Sequence, residues 1–159
     1  MPKVEYTAAK GLFQSSGSGI EFNGNTVQGN LKKVITHSAS SGDLTLTAAD
    51  TGAIIKVTGN ASGQVINLPA VADAAGMHFD LVVNSQWATH NLVVMASGAE
   101  NQILIAQDHT SNNVTRSTGD DITINAGQEE IGDRCAWRCD GAKWYATSFA
   151  SSATCFSAA

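Results

Sequence analysis

Arg134-Cys-Ala-Trp-Arg-Cys-Asp-Gly-Ala-Lys-Trp-Tyr-Ala-Thr147 reads as two strands folded on an Asp140-Gly141 turn. A two-residue hairpin turn needs φ > 0 at both central positions, which Gly adopts freely and Asp tolerates. That register sets Trp137 opposite Trp144, with Cys135, Cys139, Ala142 and Ala146 on the same face. On the other face it sets Arg138 opposite Lys143. Like charges directly opposite are mildly unfavourable, so this pair suits a solvated turn or an acidic partner. The hairpin core of Cys135, Trp137, Cys139 and Trp144 is a packing device without reactive chemistry. It points toward a structural or interaction protein.

Upstream of this hairpin the strand signals recur. Leu31–His37, Leu44–Thr47, Ala53–Val57, Gln64–Leu68, Met77–Val83, Asn91–Met95, Gln102–Ala106 and Asp121–Asn125 are short apolar or alternating runs separated by turn residues. Pro69–Gly76 is the one helix candidate, with Pro and Gly at its two ends. Residues 107–120 read as a long exposed loop, and Ser148–Ala159 as a small-residue tail. About ten short strands, roughly 10–15 residues apart, predict an all-β fold: a compact antiparallel β-sandwich or barrel. Residues 1–30 stand apart as an extended N-terminal arm, with 31–159 as a single β domain. The arm holds a flexible stretch, Gln14–Gly19, between sparse apolar residues. It is expected to order on its own domain, a sister subunit or a larger surface.

The chain has 159 residues, enough for one domain with a real core. Only 14% are charged, against about 25% in an ordinary domain. Residues 1–33 hold Lys3, Lys10, Lys32 and Lys33 against Glu5 and Glu21, whereas residues 34–159 hold 5 basic and 12 acidic residues. A body this acidic repels phosphate backbones, so nucleic-acid binding is not expected. No apolar run approaches the roughly 18 residues of a membrane span, so no membrane partner is expected. Met1–Tyr6 lacks the apolar core of a secretory signal, which predicts synthesis in a cytosol. Cys135 and Cys139 lie about 13 Å apart along a strand, too far for a disulfide. With Cys155 they are read as buried reduced thiols.

No pattern of catalytic or metal-binding residues stands out. The three cysteines lack the partners a zinc site needs. His37, His78, His90 and His109 are scattered, and no Ser or Cys has an activating neighbour in sequence. Asp120, Asp121, Glu129, Glu130 and Asp133 follow no calcium-loop spacing and read as solvated turns. The expectation is no enzyme, no catalytic residue, no metal and no cofactor. Asn60-Ala-Ser62 and Asn113-Val-Thr115 match the glycan-acceptor pattern by chance composition. Trp87, in a polar loop, and Tyr145, on the outer hairpin face, are the candidate surface-interaction residues.

Leu44–Gly52, Ile54–Val57, Val65–Pro69, Gly76–Val83 and the closing Asp140-Gly-Ala-Lys-Trp-Tyr145 resemble a pattern recurring in virion proteins of tailed bacteriophages. That pattern appears in head decoration (cement) proteins and in modules of tail fibres. The resemblance spans residues 44–149 and implies a capsid decoration protein, a homotrimer seated at joints between subunits of the major capsid protein. Its place would be the outer surface of the virion, after synthesis in the host cytoplasm. The arm residues Lys3, Tyr6, Lys10, Leu12, Phe13, Ile20 and Phe22 are then the candidate coat contact. The alternative is a tail-fibre or spike head binding host-surface glycan through Trp87, Trp137, Trp144, Tyr145 and the 107–120 loop.

Overall fold

The computed structural model describes residues 4–7, 11–14, 20–22, 25–27, 32–96, 102–108 and 114–158, with side chains at 32–96, 105 and 118–158. The backbone separates into two units, Met1–Lys32 and Lys33–Ala159. In the first, β1 (Val4–Thr7) pairs with β2 (Gly11–Gln14), and β3 (Ile20–Phe22) with β4 (Asn25–Val27), both antiparallel. Of the stretch read as flexible, residues 15–19 lie outside the described residues.

In the second unit the chain first coils instead of folding back on itself. β5 (Val34–His37), β7 (Ile54–Val57) and β9 (His78–Val83) lie parallel in one sheet. β6 (Leu44–Thr45), β8 (Val65–Leu68) and β10 (Leu92–Ala96) lie parallel in the other. Successive strands therefore alternate between layers. The crossings run six to nine residues, longer than the two to five of a typical hairpin loop. Gly52 and Gly76 turn the chain there at φ 79° and 81°, a conformation side-chain-bearing residues resist. Ala48–Asp50 and Val71–Asp73 add one 3-10 turn each to these crossings. The second is all that forms within the predicted helix Pro69–Gly76.

β11 (Gln102–Asp108), β12 (Val114–Gly119), β13 (Asp121–Ile124), β14 (Arg134–Cys139), β15 (Trp144–Ala150) and β16 (Phe156–Ala158) complete the sheets. One sheet has seven strands in the order β12-β11-β15-β14-β9-β7-β5, the other five in the order β16-β13-β10-β8-β6. Each mixes parallel and antiparallel neighbours, and neither closes into a barrel. The expected antiparallel arrangement is thus corrected to a mixed, sandwich-like one. Residues 107–120 are not a long loop: Gln102–Asp108 pairs with Val114–Gly119. Nor is Ser148–Ala159 a loose tail, since β15 runs to Ala150 and β16 pairs with β13.

The β14–β15 register is also corrected. Cys139 lies opposite Trp144, Trp137 opposite Ala146, and Arg138 opposite Tyr145. The loop is Asp140–Lys143, four residues instead of two. The Asp140 carboxylate causes this: it accepts from the backbone N–H groups of Ala142 and Lys143, each at 2.8 Å. Asp thereby builds the turn with its side chain. The shift is two residues, so the alternation of faces survives. Cys135, Trp137, Cys139, Trp144 and Ala146 are all buried.

One core joins the inner faces of both sheets, including Ile55, Phe79, Leu81, Trp137 and Trp144 from one and Ile66, Leu92, Ile122, Ile124 and Phe156 from the other. Phe79 and Trp144 pack with ring centroids 5.7 Å apart, and Trp144 Nε1 donates to Pro69 O at 3.1 Å. A tryptophan buries roughly 200 Å², so each contributes about 5 kcal/mol at about 25 cal/mol/Å². Asp50 is buried beneath Lys33. Burial raises its carboxyl, but the Lys33 ammonium at 2.6 Å and the Thr47 hydroxyl and N–H outweigh that and hold it low.

Two buried polar groups are incompletely matched. Ser148 Oγ has no hydrogen-bond partner among the described residues. An orphaned buried hydroxyl is destabilising, so Ser148→Ala should stabilise the protein by about 1 kcal/mol, read as a higher urea midpoint at unchanged m-value; a lower midpoint would contradict this. His37 is 1% exposed and its Nδ1 has no hydrogen-bond partner among the described residues. Gln64, turned so that its carbonyl accepts from Gly42 N–H at 2.7 Å, brings its amide nitrogen to 3.3 Å from His37 Nε2. Burial pushes His37 below its ordinary value of 6.5, against the opposing influence of Gln64 and Asp43. The unfolded chain then takes up a proton below 6.5 that the native state resists. Stability should be level above that pH and fall as pH drops below it toward the native value. A Tm profile measured down to about pH 5 should show this decline, and His37→Gln should flatten it.

Candidate interaction face

Alternation along the seven-stranded sheet sends every second residue outward. Strand register arranges these outward positions in three rows across the sheet. The middle row runs Val34, Ile54, Asp80, Ala136, Thr147, Ile105. One flanking row holds Lys56, Val82, Arg134 and Phe149; the other holds His78, Arg138 and Tyr145. Short side chains at Ala136 and Thr147 lie between the larger ones of the flanking rows. The result is a groove of about 540 Å³ whose walls include Ile54, Val82, Arg134, Arg138, Tyr145 and Phe149.

The face is more apolar and more basic than the body that carries it. Val34, Ile105, Tyr145 and Phe149 are exposed large hydrophobics. Arg134 Cζ sits 5.0 Å from the centre of the Phe149 ring, a cation–π contact. Tyr145 OH donates to Asp140 Oδ2 at 2.9 Å. Backbone donors from Ala142 and Lys143, then this hydroxyl, lower the Asp140 carboxyl, while the same bond and the Asp140 charge raise the phenol. Residues 34–159 contain five Lys and Arg. Lys56, Arg134 and Arg138 occupy the three rows, and Lys143 lies in the loop joining β14 to β15. Of the acids among the described residues of that span, only Asp80 stands in these rows. A body of net charge −7 (5 basic against 12 acidic) therefore has a sheet face on which the cations predominate.

The candidate residues divide as follows. Tyr145 lies on this face. Trp87 does not reach the surface as expected: it is 8% exposed, its Nε1 donates to His90 O at 2.9 Å, and its N–H donates to Glu129 Oε1 at 2.5 Å. Trp137 and Trp144 are core residues. In the first unit, Tyr6 is in register with Leu12, and Phe13, Ile20 and Phe22 lie in strands. Lys3 and Lys10 lie outside the described residues, as do His109 and Asn113. Asn60 is 2% exposed, with its amide donating to His90 O and Asn91 O, so its acceptor motif is sterically closed. The alternation in Arg134–Cys139 and Trp144–Ala150 could have disclosed Arg134, Ala136 and Phe149; the two-residue error in register concealed how they meet.

Glu129 and Asp133, read as solvated turn acids, are buried at 1% and 5% exposure. Glu129 also accepts from Gln128 N–H at 3.1 Å. Asp133 accepts from the N–H groups of Glu130 (2.9 Å) and Ser151 (2.8 Å), and from the Ser151 hydroxyl (3.0 Å). Both carboxylates are occupied in fixing the β13–β14 loop. No group of three or more His, Cys, Asp or Glu among the described residues could hold a metal ion. The three cysteines are buried and not disulfide-bonded. Burial pushes the Cys135 thiol up, and burial followed by the charge of Asp133 does the same for Cys155. Such thiols are poor nucleophiles. No protein-family model, curated protein or solved structure matches the chain.

Asp133→Ala should cost about 1–3 kcal/mol, because the partly buried backbone N–H groups of Glu130 and Ser151 lose their acceptor. Chemical denaturation checks this. Stability equal to wild type would show that the carboxylate does not anchor the loop.

Proposed function

We propose that this chain works by adhesion, as a structural protein of a tailed-phage virion that decorates the capsid. In this reading it binds the major capsid protein at joints between coat subunits, as a homotrimer on the outer surface of the shell. The observation that carries it is the outer face of the seven-stranded sheet, where exposed Tyr145, Phe149, Ile105 and Val34 share one patch with the body's cations. Contiguous exposed apolar surface marks interaction sites, and Tyr and Arg are enriched where binding energy concentrates. The resemblance of residues 44–149 to phage surface proteins supplies the partner.

The mechanism is mechanical. A protein that binds only the assembled shell stabilises that state by mass action. Three linked copies turn a weak single contact into a strong one. The first unit carries part of the coat contact in this reading, through Tyr6, Leu12, Phe13, Ile20 and Phe22 with Lys3 and Lys10. The full chain should co-sediment with emptied heads of the phage that encodes it. A chain lacking residues 1–22 should retain the body's near-ultraviolet spectrum and lose binding. Wild-type occupancy by the truncated chain would refute the coat-contact role.

Glycan binding by a tail-fibre or spike head is the second reading. Tyr145 and Phe149 beside Arg138 and Arg134 favour it, since sugar rings stack on aromatic faces and acidic sugars pair with arginine. The burial of Trp87, Trp137 and Trp144 removes three of its aromatic candidates. Binding of the full chain to a glycan array would select this reading over decoration.

A further inference from the structure

The groove has a complementary feature elsewhere on the same chain. Ile131, at the tip of the β13–β14 loop, is 71% exposed, the most exposed of the large hydrophobic side chains described. Beside it stands the exposed acid Glu130. This tip is firmly held. Asp133 and Glu129 anchor it from inside, Gly132 N–H donates to Val83 O at 2.9 Å, and Asp133 N–H donates to Glu130 O at 3.0 Å. A protruding apolar side chain on a mobile loop would lose entropy on docking. On a braced loop that cost is already met in folding.

We infer that the groove over Ala136 and Thr147 seats the Glu130-Ile131 tip of a second copy of this chain. Ile131 enters between the flanking rows, where Ile54, Val82 and Ala136 offer apolar contact. Glu130 meets Arg134 or Arg138 at the rim, a charge-assisted pairing that a guanidinium makes well. The pairing of signs is general as well as local. The sheet face is where the body's cations gather, and most of its acids lie elsewhere. A second copy is therefore a partner of opposite charge. A specific interface buries roughly 1,200–2,000 Å² in total, more than one tip supplies. Val34, Ile105 and Phe149, exposed around the groove, provide the remaining apolar contact. Exchanged reciprocally, the contact closes a twofold pair; passed head to tail, it closes a ring such as the trimer proposed above.

The inference gives that trimer a contact surface and does not depend on a virion partner. Sedimentation velocity on the full chain tests it. Wild type at about 100 µM, well above a micromolar Kd, should be oligomeric. Ile131→Asp and Ala136→Trp should each weaken self-association at least about tenfold, as loss of an interface anchor does. Both changes sit at solvent-facing positions, and a thermal melt verifies folding; Arg138→Glu replaces Ala136→Trp if that variant unfolds. A mixture of the two variants should recover part of the association, as pairs joined through one contact, because one supplies an intact groove and the other an intact tip. A monomeric wild type contradicts the inference, whatever peptide or glycan the groove then binds. So does an oligomer indifferent to both substitutions, or a mixture that recovers nothing. Failure here leaves shell binding to be judged by co-sedimentation, and failure of co-sedimentation leaves this contact standing.

Discussion

The register between β14 and β15 is the constraint from which both the core and the surface follow. It places Trp137 beside Ala146 and Cys139 beside Trp144 on the inner face. The same pairing places Arg134 beside Phe149 and Arg138 beside Tyr145 on the outer one. Side chains alternate with a period of two, so a slip of one residue would exchange the faces. Two arginines would then replace two cysteines inside. The cost of burying unpaired charge forbids that alternative. The outer apolar and cationic face is therefore fixed by the same choice that seals the core.

Buried polar groups finish what the register begins. The β13–β14 loop crosses between sheets, and its backbone donors cannot all find strand partners. Asp133 takes that of Glu130, and also that of Ser151 after β15; Glu129 takes that of Gln128, and also that of Trp87 between β9 and β10. Asn60 does the same at another crossing, accepting from Gln64 N–H at 3.0 Å while donating to His90 and Asn91 carbonyls. A coil that moves between layers every few residues has many such crossings. Side-chain capping of this kind is what permits a small domain to use them without stranding backbone groups.

The all-β character was legible because short apolar runs and turn residues alternate along the whole chain, and the strands at Ile54–Val57, Val65–Leu68 and His78–Val83 fall where the pattern puts them. The layer each strand joins was not legible. Ile54–Val57 and Val65–Leu68 look alike in sequence, and nothing local says that they belong to different sheets. β12 was missed because Val114-Thr-Arg-Ser-Thr-Gly119 has a single large apolar residue, too weak a pattern against its polar context. Trp87 was misplaced because its surroundings are polar in sequence, whereas the groups that enclose it, Glu129 and the His90 carbonyl, are brought together by folding. Of the interaction face, Tyr145 was readable from alternation. Its neighbours across the strands required the true length of the Asp140 loop.

The proposed role rests on surface chemistry. Apolar and cationic side chains share one face of an otherwise acidic body, and a braced apolar tip stands three residues before Arg134, at the entry to β14. Hydroxyl-radical footprinting of the full chain, dilute and in its working assembly, tests that view most directly. The account predicts that Tyr145, Phe149 and Ile131 lose labelling on assembly, while Met95, exposed on the outer side of the opposite sheet, keeps it. Equal labelling of Tyr145 and Phe149 in the two states would mean that the face stays open to water, and the account would fail.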